Sequence, residues 1–247
     1  MNNTMSCTSQ QIQSFKDSGF LIIENLIEPD TLELWREQIW GHFGSRLDTP
    51  ETWPDVRVID GFKFDDPEKA FGRLPEVAGV VQQLLGGDDL ILSDGDPLFT
   101  WPAPETEWYF PHTSHIDGYG TEWGPFMLGA TTYLYDVHAR GGGFGYWPGS
   151  HLTTHQYFLE DPDQVDGRFQ QRDGWSWRDF SDRATEEARQ FTARAGDVMF
   201  WHAYLVHGAS LNARPEPRFG MFARFRHEHQ DKIKREVPED LWKHWVI

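Results

Sequence analysis

Apolar positions along the chain follow two regimes. In the first third their spacing is helical. Thr8 with Gln11 forms a capping-box pattern, Ile12 and Phe15 give an apolar edge, and Gly19 suits a helix stop, so a short helix is predicted before Gly19. Residues 20–27 are β-branched and aromatic and predict a strand. Asp30 with Glu33 predicts the cap of a second helix, whose Leu32, Trp35, Ile39 and Phe43 recur on one face. A third helix is predicted from Pro75, with Val77, Val80, Val81, Leu84 and Leu85 as its apolar stripe and Gly86-Gly87 as its end. From Asp89 onward the runs become short, at 90–92, 98–101, 128–137, 143–147, 191–192, 198–206 and 219–225, separated by Gly, Pro or charged turns. Helices followed by many short strands predict a mainly β fold, an antiparallel barrel or jelly roll with the N-terminal helices packed outside. The polar stretch 159–190 lacks alternation and predicts a long loop or lid. Without repeats, low-complexity tracts or a linker, residues 1–247 are expected to form a single domain, with 1–88 mostly helical and 89–230 the β core.

Composition narrows the partners. The 247 residues carry 22 Lys+Arg against 39 Asp+Glu, a net charge of −17, which disfavours nucleic acids and anionic membranes because both are bound through Lys and Arg. The single Cys7 excludes an internal disulfide and any multi-cysteine zinc or iron–sulfur centre. No apolar run approaches the roughly 20 residues of a membrane-spanning helix. Residues 1–13 are polar, without the basic-then-apolar signal pattern. The expectation is a cytoplasmic protein acting on a small molecule.

The sharpest chemical feature is His115-Ile-Asp117. On a strand, residues i and i+2 share a face, so an imidazole and a carboxylate project together. His207 follows the strand at 198–206 and is the candidate third ligand. Two histidines and one carboxylate leave three open metal positions, the arrangement of non-haem Fe(II) oxygenases. Alone, His-x-Asp in a chain with 11 His and 39 acidic residues also fits an exposed polar pair at a strand end. Arg218 begins the next strand, and adjacent antiparallel strands would set it beside His207 but deeper. A buried guanidinium needs a carboxylate, which its planar fork matches bidentately, and a small diacid chelating the metal at its other end supplies one. The bland reading of Arg218 is a surface residue paired with one of the many acids.

In order and together, these motifs resemble the phytanoyl-CoA dioxygenase-like branch of Fe(II)/2-oxoglutarate oxygenases. The likeness runs from the Phe15-Lys-Asp-Ser-Gly-Phe-Leu-Ile-Ile23 opening through His115-Ile-Asp117, Trp147-Pro-Gly-Ser-His151 and Ala195-Gly-Asp-Val-Met-Phe200 to His207-Gly, Asn212 and Arg218. It implies a double-stranded β-helix, Fe(II) held by His115, Asp117 and His207, 2-oxoglutarate clamped by Arg218, and O2 as oxidant. Two departures stand out. Where the family often has a hydroxyl two residues after the distal histidine, this chain has Ala209, with Ser210 next as a substitute contact to 2-oxoglutarate. Thr113-Ser114 replace the Trp-His context before His115. Because Asp117 is present, no position is left open for a halide, which disfavours halogenation.

Other residues carry paired readings. His112 faces away from His115 on a strand and suits a substrate contact. His202 lies five residues before His207, faces the other way on an unbroken strand, and is read as structural. His151 is read as packing in a turn, Arg214 as a solvated loop charge, and Arg224 and Arg226 as emerging at the barrel rim. Thr131, Tyr133 and Tyr135 share a strand face, from which Thr131 is a candidate contact to 2-oxoglutarate, with core packing as the alternative. Tyr119, Trp123, Phe144 and Trp147 are candidate walls of an apolar substrate pocket. The expected function is Fe(II)/2-oxoglutarate-dependent oxidation of an unactivated C–H bond in a small molecule, by hydroxylation, desaturation or cyclisation, in the tailoring of a natural product. The rivals are a non-redox cupin-like binding barrel and a zinc hydrolase on the same ligands.

Overall fold

The computed structural model describes residues 7–59, 62–111, 114–117, 126–166 and 186–247. Helix α1 (Ser9–Ser18) starts at Thr8, whose side chain and that of Gln11 form the reciprocal capping box, and ends at Gly19 in the left-handed conformation (φ 80°). Gly19 also admits a neighbour, since a Cβ there would sit 2.5 Å from His151 Nδ1. Strand β1 (Phe20–Ile23) follows, then α2 (Pro29–Phe43) and α3 (Pro75–Leu84). Leu32, Trp35 and Ile39 of α2 and Val77, Val80, Val81 and Leu84 of α3 are buried, as their spacing predicts. The α2 cap differs from expectation: Pro29 occupies the first turn, Glu28 becomes the N-cap without a side-chain bond, and Asp30 falls inside the first turn.

The strands are β2 (Leu90–Ile91), β3 (Asp96–Thr100), β4 (Leu128–Tyr133), β5 (Gly145–Tyr146), β6 (Arg189–Gln190), β7 (Val198–His202), β8 (His207–Gly208) and β9 (Arg218–His227). They form a larger antiparallel sheet in the order β1-β7-β4-β9-β2, with β3 also on β9, and a smaller sheet β6-β5-β8. Among the described residues these are two facing sheets of a jelly roll rather than a closed barrel. Alternation divides the large sheet's side chains. Val198, Phe200, Phe219, Met221, Ala223 and Phe225 pack outward with α2 and α3, while Met199, Trp201 and Phe222 pack between the sheets with Phe144, Tyr146 and Phe191.

Two expectations are corrected. The run 198–206 is not one strand: it breaks after His202 with a turn in which Leu205 N–H bonds the His202 carbonyl, so His202 and His207 lie in different sheets. Residues 159–190 are not uniformly loop: α4 (Ser150–Glu160) extends into them, Pro162–Asp166 is a 3-10 turn and β6 closes them; the remainder of that stretch lies outside the described residues. Helix α4 had no amphipathic signal because its buried face is largely polar, with Ser150, His151, Thr154 and His155 turned inward and Leu152 exposed. A last helix, α5 (Gln230–Glu236), follows β9.

His151 donates from Nε2 to the Lys16 carbonyl (3.0 Å), and burial pushes its pKa down from 6.5 to about 4. The folded chain therefore holds this imidazole neutral where the unfolded chain protonates it. Stability measured by urea unfolding is expected to be intact above pH 6.5 and to fall on the order of 3 kcal/mol as pH drops towards 4, and His151→Gln is expected to flatten that slope. An unchanged slope in the variant would assign the acid sensitivity elsewhere.

Candidate functional site

His115 joins the small sheet through one antiparallel bridge to His207. The His115 N–H donates to the His207 carbonyl (2.7 Å) and the His207 N–H to the His115 carbonyl (2.8 Å). Residues directly opposite in such a pair present their side chains on the same face, and the two imidazole centroids lie 4.5 Å apart. Asp117, two residues on, brings Oδ1 to 3.3 Å from His115 Nε2 and 3.7 Å from His207 Nε2. Ligand atoms of all three residues lie within 4.8 Å of one another.

The protonation states suit a cation. Buried His207 donates its Nδ1 proton to the Leu205 carbonyl (2.9 Å), which leaves the Nε2 lone pair facing Asp117. Burial and the nearby His115 push the His207 pKa down, so the ring stays neutral. Burial alone would raise the Asp117 carboxyl, but the two imidazoles beside it and the Arg224 charge outweigh it and hold it far below the usual carboxylate range. A lone pair and a carboxylate facing each other at this distance are both acceptors, and a divalent metal satisfies them together. His115 is the accessible member, with 42% of its side chain exposed against 4% for His207.

The surroundings hold the site rigid. Phe144 stacks on the His207 ring at 5.0 Å and Trp201 packs against it at 4.7 Å. Trp201 faces Gly129 of β4, where a Cβ would lie 2.2 Å from the indole. Arg224 is not at a rim: its Nη2 and Nε donate to Asp117 Oδ2 at 2.9 and 3.3 Å, leaving Oδ1 directed at the imidazoles. Strand parity with Arg218 carried this signal, since 218, 220, 222 and 224 share the inter-sheet face of β9.

Arg218 is buried, but not by adjacency to His207. It pairs with Thr100 of β3 and enters from the facing sheet. Its guanidinium donates to the Gly142 carbonyl (3.1 Å), the Leu98 carbonyl (3.3 Å) and Thr100 Oγ1 (2.5 Å), and no carboxylate pairs with it among the described residues. Burial, with the Arg57 charge adding to it, pushes its pKa down to about 10. Gly220 makes the space, because a Cβ there would sit 2.7 Å from Arg218 Nη1. His115, Asp117, His207, Arg218 and Arg224 line one cavity of about 360 Å³, walled by Phe144, Trp201 and Phe222. A larger cavity of about 430 Å³, lined by Trp53, Tyr135, His138 and Arg214, shares only Arg218 with it and holds none of the three clustered residues.

Several sequence candidates lie elsewhere. Ser210 is one residue out of phase with Ala209, which lines the cavity; its hydroxyl donates to the Gly143 carbonyl and accepts from Gln190 (2.8 Å). Thr131 accepts from Trp201 Nε1 (3.0 Å), so it orients a cavity wall without lining the cavity. Trp147 packs in a separate core with Ile116, Tyr157 and Val206. Tyr133 hydrogen-bonds the Phe191 and Phe144 backbones, and His202 stacks on Trp245. Arg226 is exposed. His112, Tyr119 and Trp123 lie outside the described residues. Arg57, also on the cavity wall, had no motif or periodicity to mark it.

Residues 15–220 match the family model of phytanoyl-CoA dioxygenase (PhyH). The chain belongs to that family. It is therefore a non-haem iron, 2-oxoglutarate-dependent dioxygenase by class, with O2 as co-substrate. Among curated family relatives, it is similar to the ectoine dioxygenases of Streptomyces avermitilis (26% identity, covering 88% of this chain and 78% of the relative) and Nocardia farcinica (23%, 88% and 77%). Among solved structures, the fold matches the non-heme alpha ketoglutarate dependent carbocyclase SnoK from nogalamycin biosynthesis (TM-score 0.61, 20% identity, 95% of this chain and 93% of that one). It also matches EctD from S. alaskensis with 2-oxoglutarate and 5-hydroxyectoine (TM-score 0.63, 18% identity, 93% and 79%). No helix among the described residues is long and apolar enough to cross a membrane.

Replacing Arg224 by Met removes two hydrogen bonds and the positive charge from Asp117 Oδ2. Ferrous-iron affinity, measured anaerobically by quenching of tryptophan fluorescence, is expected to fall about 10- to 100-fold with the circular dichroism spectrum unchanged. Wild-type affinity in the variant would show that the guanidinium does not orient the carboxylate.

Proposed function

We propose that His115, Asp117 and His207 hold Fe(II), that Arg218 binds the distal carboxylate of 2-oxoglutarate, and that the enzyme oxidises an unactivated C–H bond of a small molecule in natural-product tailoring. The observation that carries this reading is the convergence of two imidazoles and one carboxylate within 4.8 Å on the wall of a cavity that also holds a buried arginine paired with no carboxylate among the described residues. When bound, ferrous iron with 2-oxoglutarate supplies the oxidising power for C–H cleavage, and three protein ligands leave it room for co-substrate and O2.

The chain's own groups orient and enclose. Asp117 presents one oxygen to the metal position because Arg224 holds the other. His207 offers Nε2 because Leu205 fixes its Nδ1 proton. The Arg218 guanidinium, positioned by Gly142, Leu98 and Thr100, offers its charge to a carboxylate at the far end of the cavity, where burial strengthens the attraction. Phe144, Trp201 and Phe222 keep that wall dry and suit a compact apolar framework in the substrate. SnoK from nogalamycin biosynthesis shares the fold, which supports the tailoring role. The cytoplasmic location is part of the same proposal and is supported by the single cysteine.

The test follows 2-oxoglutarate consumption and succinate release under O2, with metal content measured alongside. Arg218→Ala is expected to raise the 2-oxoglutarate concentration for half-maximal turnover by about 100-fold while iron is retained. Asp117→Ala is expected to lose iron and turnover together. Wild-type 2-oxoglutarate dependence in the first variant, or full activity in the second, would contradict the assignment; zinc-dependent hydrolysis without succinate would favour the hydrolase instead.

A further inference from the structure

Resting on the iron and 2-oxoglutarate reading, we propose that Arg57 recognises a carboxylate of the primary substrate, which makes that substrate a small organic acid or zwitterion. Arg57 is no loose surface charge. Its segment is stapled along β3 at three successive points: Trp101 Nε1 donates to the Val56 carbonyl, Phe99 N–H donates to the Arg57 carbonyl (2.8 Å), and Val58 bridges Leu98. This fixes its backbone at the edge of the 360 Å³ cavity, which its side chain helps to line. The residue is exposed, so it stands where a substrate enters, whereas Arg218 is buried.

Charge in the cavity argues for an anion. Among the described residues, its wall carries three guanidiniums (Arg57, Arg218 and Arg224) and one carboxylate, Asp117. Asp117 is already committed, one oxygen facing the histidines and the proposed metal and the other accepting from Arg224. Arg57 makes no side-chain hydrogen bond or ion pair with any described residue, in a chain with 39 acids against 22 bases. Its charge acts unfavourably on Arg218. Counting the three arginines against Asp117, the wall has a surplus of two positive charges. Ferrous iron adds two and the 2-oxoglutarate dianion removes two, so the surplus stays after both have bound. A carboxylate on the substrate lowers it, and the planar fork of Arg57 binds such a group bidentately. The acidic remainder of the molecule repels anions from everywhere else, so this arginine also sets where an acid can dock.

The experiment uses the full-length protein loaded anaerobically with Fe(II) and 2-oxoglutarate. Benzoate and N-acetylglycine serve as probes, each compared with its neutral carboxamide, with binding read from changes in the visible iron–2-oxoglutarate band and from thermal midpoints. The carboxylates are expected to bind at least about tenfold tighter than their amides. Arg57→Gln should erase that preference while the 2-oxoglutarate titration of the same band stays within about twofold, and Arg57→Lys should restore part of it. Three results would overturn the proposal: carboxylates that bind no better than amides or not at all, a preference that survives Arg57→Gln, or a variant whose main defect is weaker 2-oxoglutarate binding. The last result would make Arg57 an auxiliary to Arg218. No visible band in the wild type would overturn the iron reading and this proposal together, whereas a band without carboxylate preference overturns this one alone.

Discussion

The buried carboxylate of Asp117 is the constraint around which the inter-sheet space is arranged. A carboxylate removed from water is costly unless its oxygens are satisfied. Here one oxygen faces two imidazoles and the other a guanidinium, and each partner arrives on a different element. His115 and Asp117 come from the segment bridged to the small sheet, His207 from β8, and Arg224 from β9 of the large sheet. Tying the sheets together at one charged point also fixes the spacing of the three side chains, so the same contacts that settle the electrostatics hold together the group proposed to bind the metal.

The same economy appears in the packing. Small residues stand where large functional ones need volume: Gly129 beside Trp201 and Gly220 beside Arg218. The aromatic rings between the sheets pack on the His207 ring, Phe144 stacked and Trp201 tilted against it. Outside, α2 and α3 cover the opposite face of the large sheet, so the inter-sheet face is left to carry chemistry. Among the described residues the cavity wall carries three guanidiniums and one carboxylate, in a molecule of net charge −17.

Much of this was legible in the residues. The three clustered side chains were readable because strand spacing puts 115 and 117 on one face, and the helices because their apolar residues repeat at helical intervals. What escaped did so for physical reasons. Helix α4 buries histidines, threonine and serine, so hydrophobicity carried no trace of it. Ser210 resembled a cofactor contact, but one residue of phase turns it to the wrong side. Arg218 was found by pattern, yet its route differed because strand neighbours in sequence sit in opposite sheets. Arg224 looked like a rim residue only because a strand's length says nothing about where the facing carboxylate lies. Arg57 sits in an irregular segment whose position comes from β3, which no local pattern encodes.

The most direct measurement is anomalous diffraction at the iron edge from crystals loaded with Fe(II) under anaerobic conditions. The account predicts a single strong peak about 2.0–2.2 Å from Nε2 of His115, Nε2 of His207 and one oxygen of Asp117, with Arg224 still on the other oxygen. A peak elsewhere, or a His207 ring turned away from the His115 and Asp117 side chains, would contradict it.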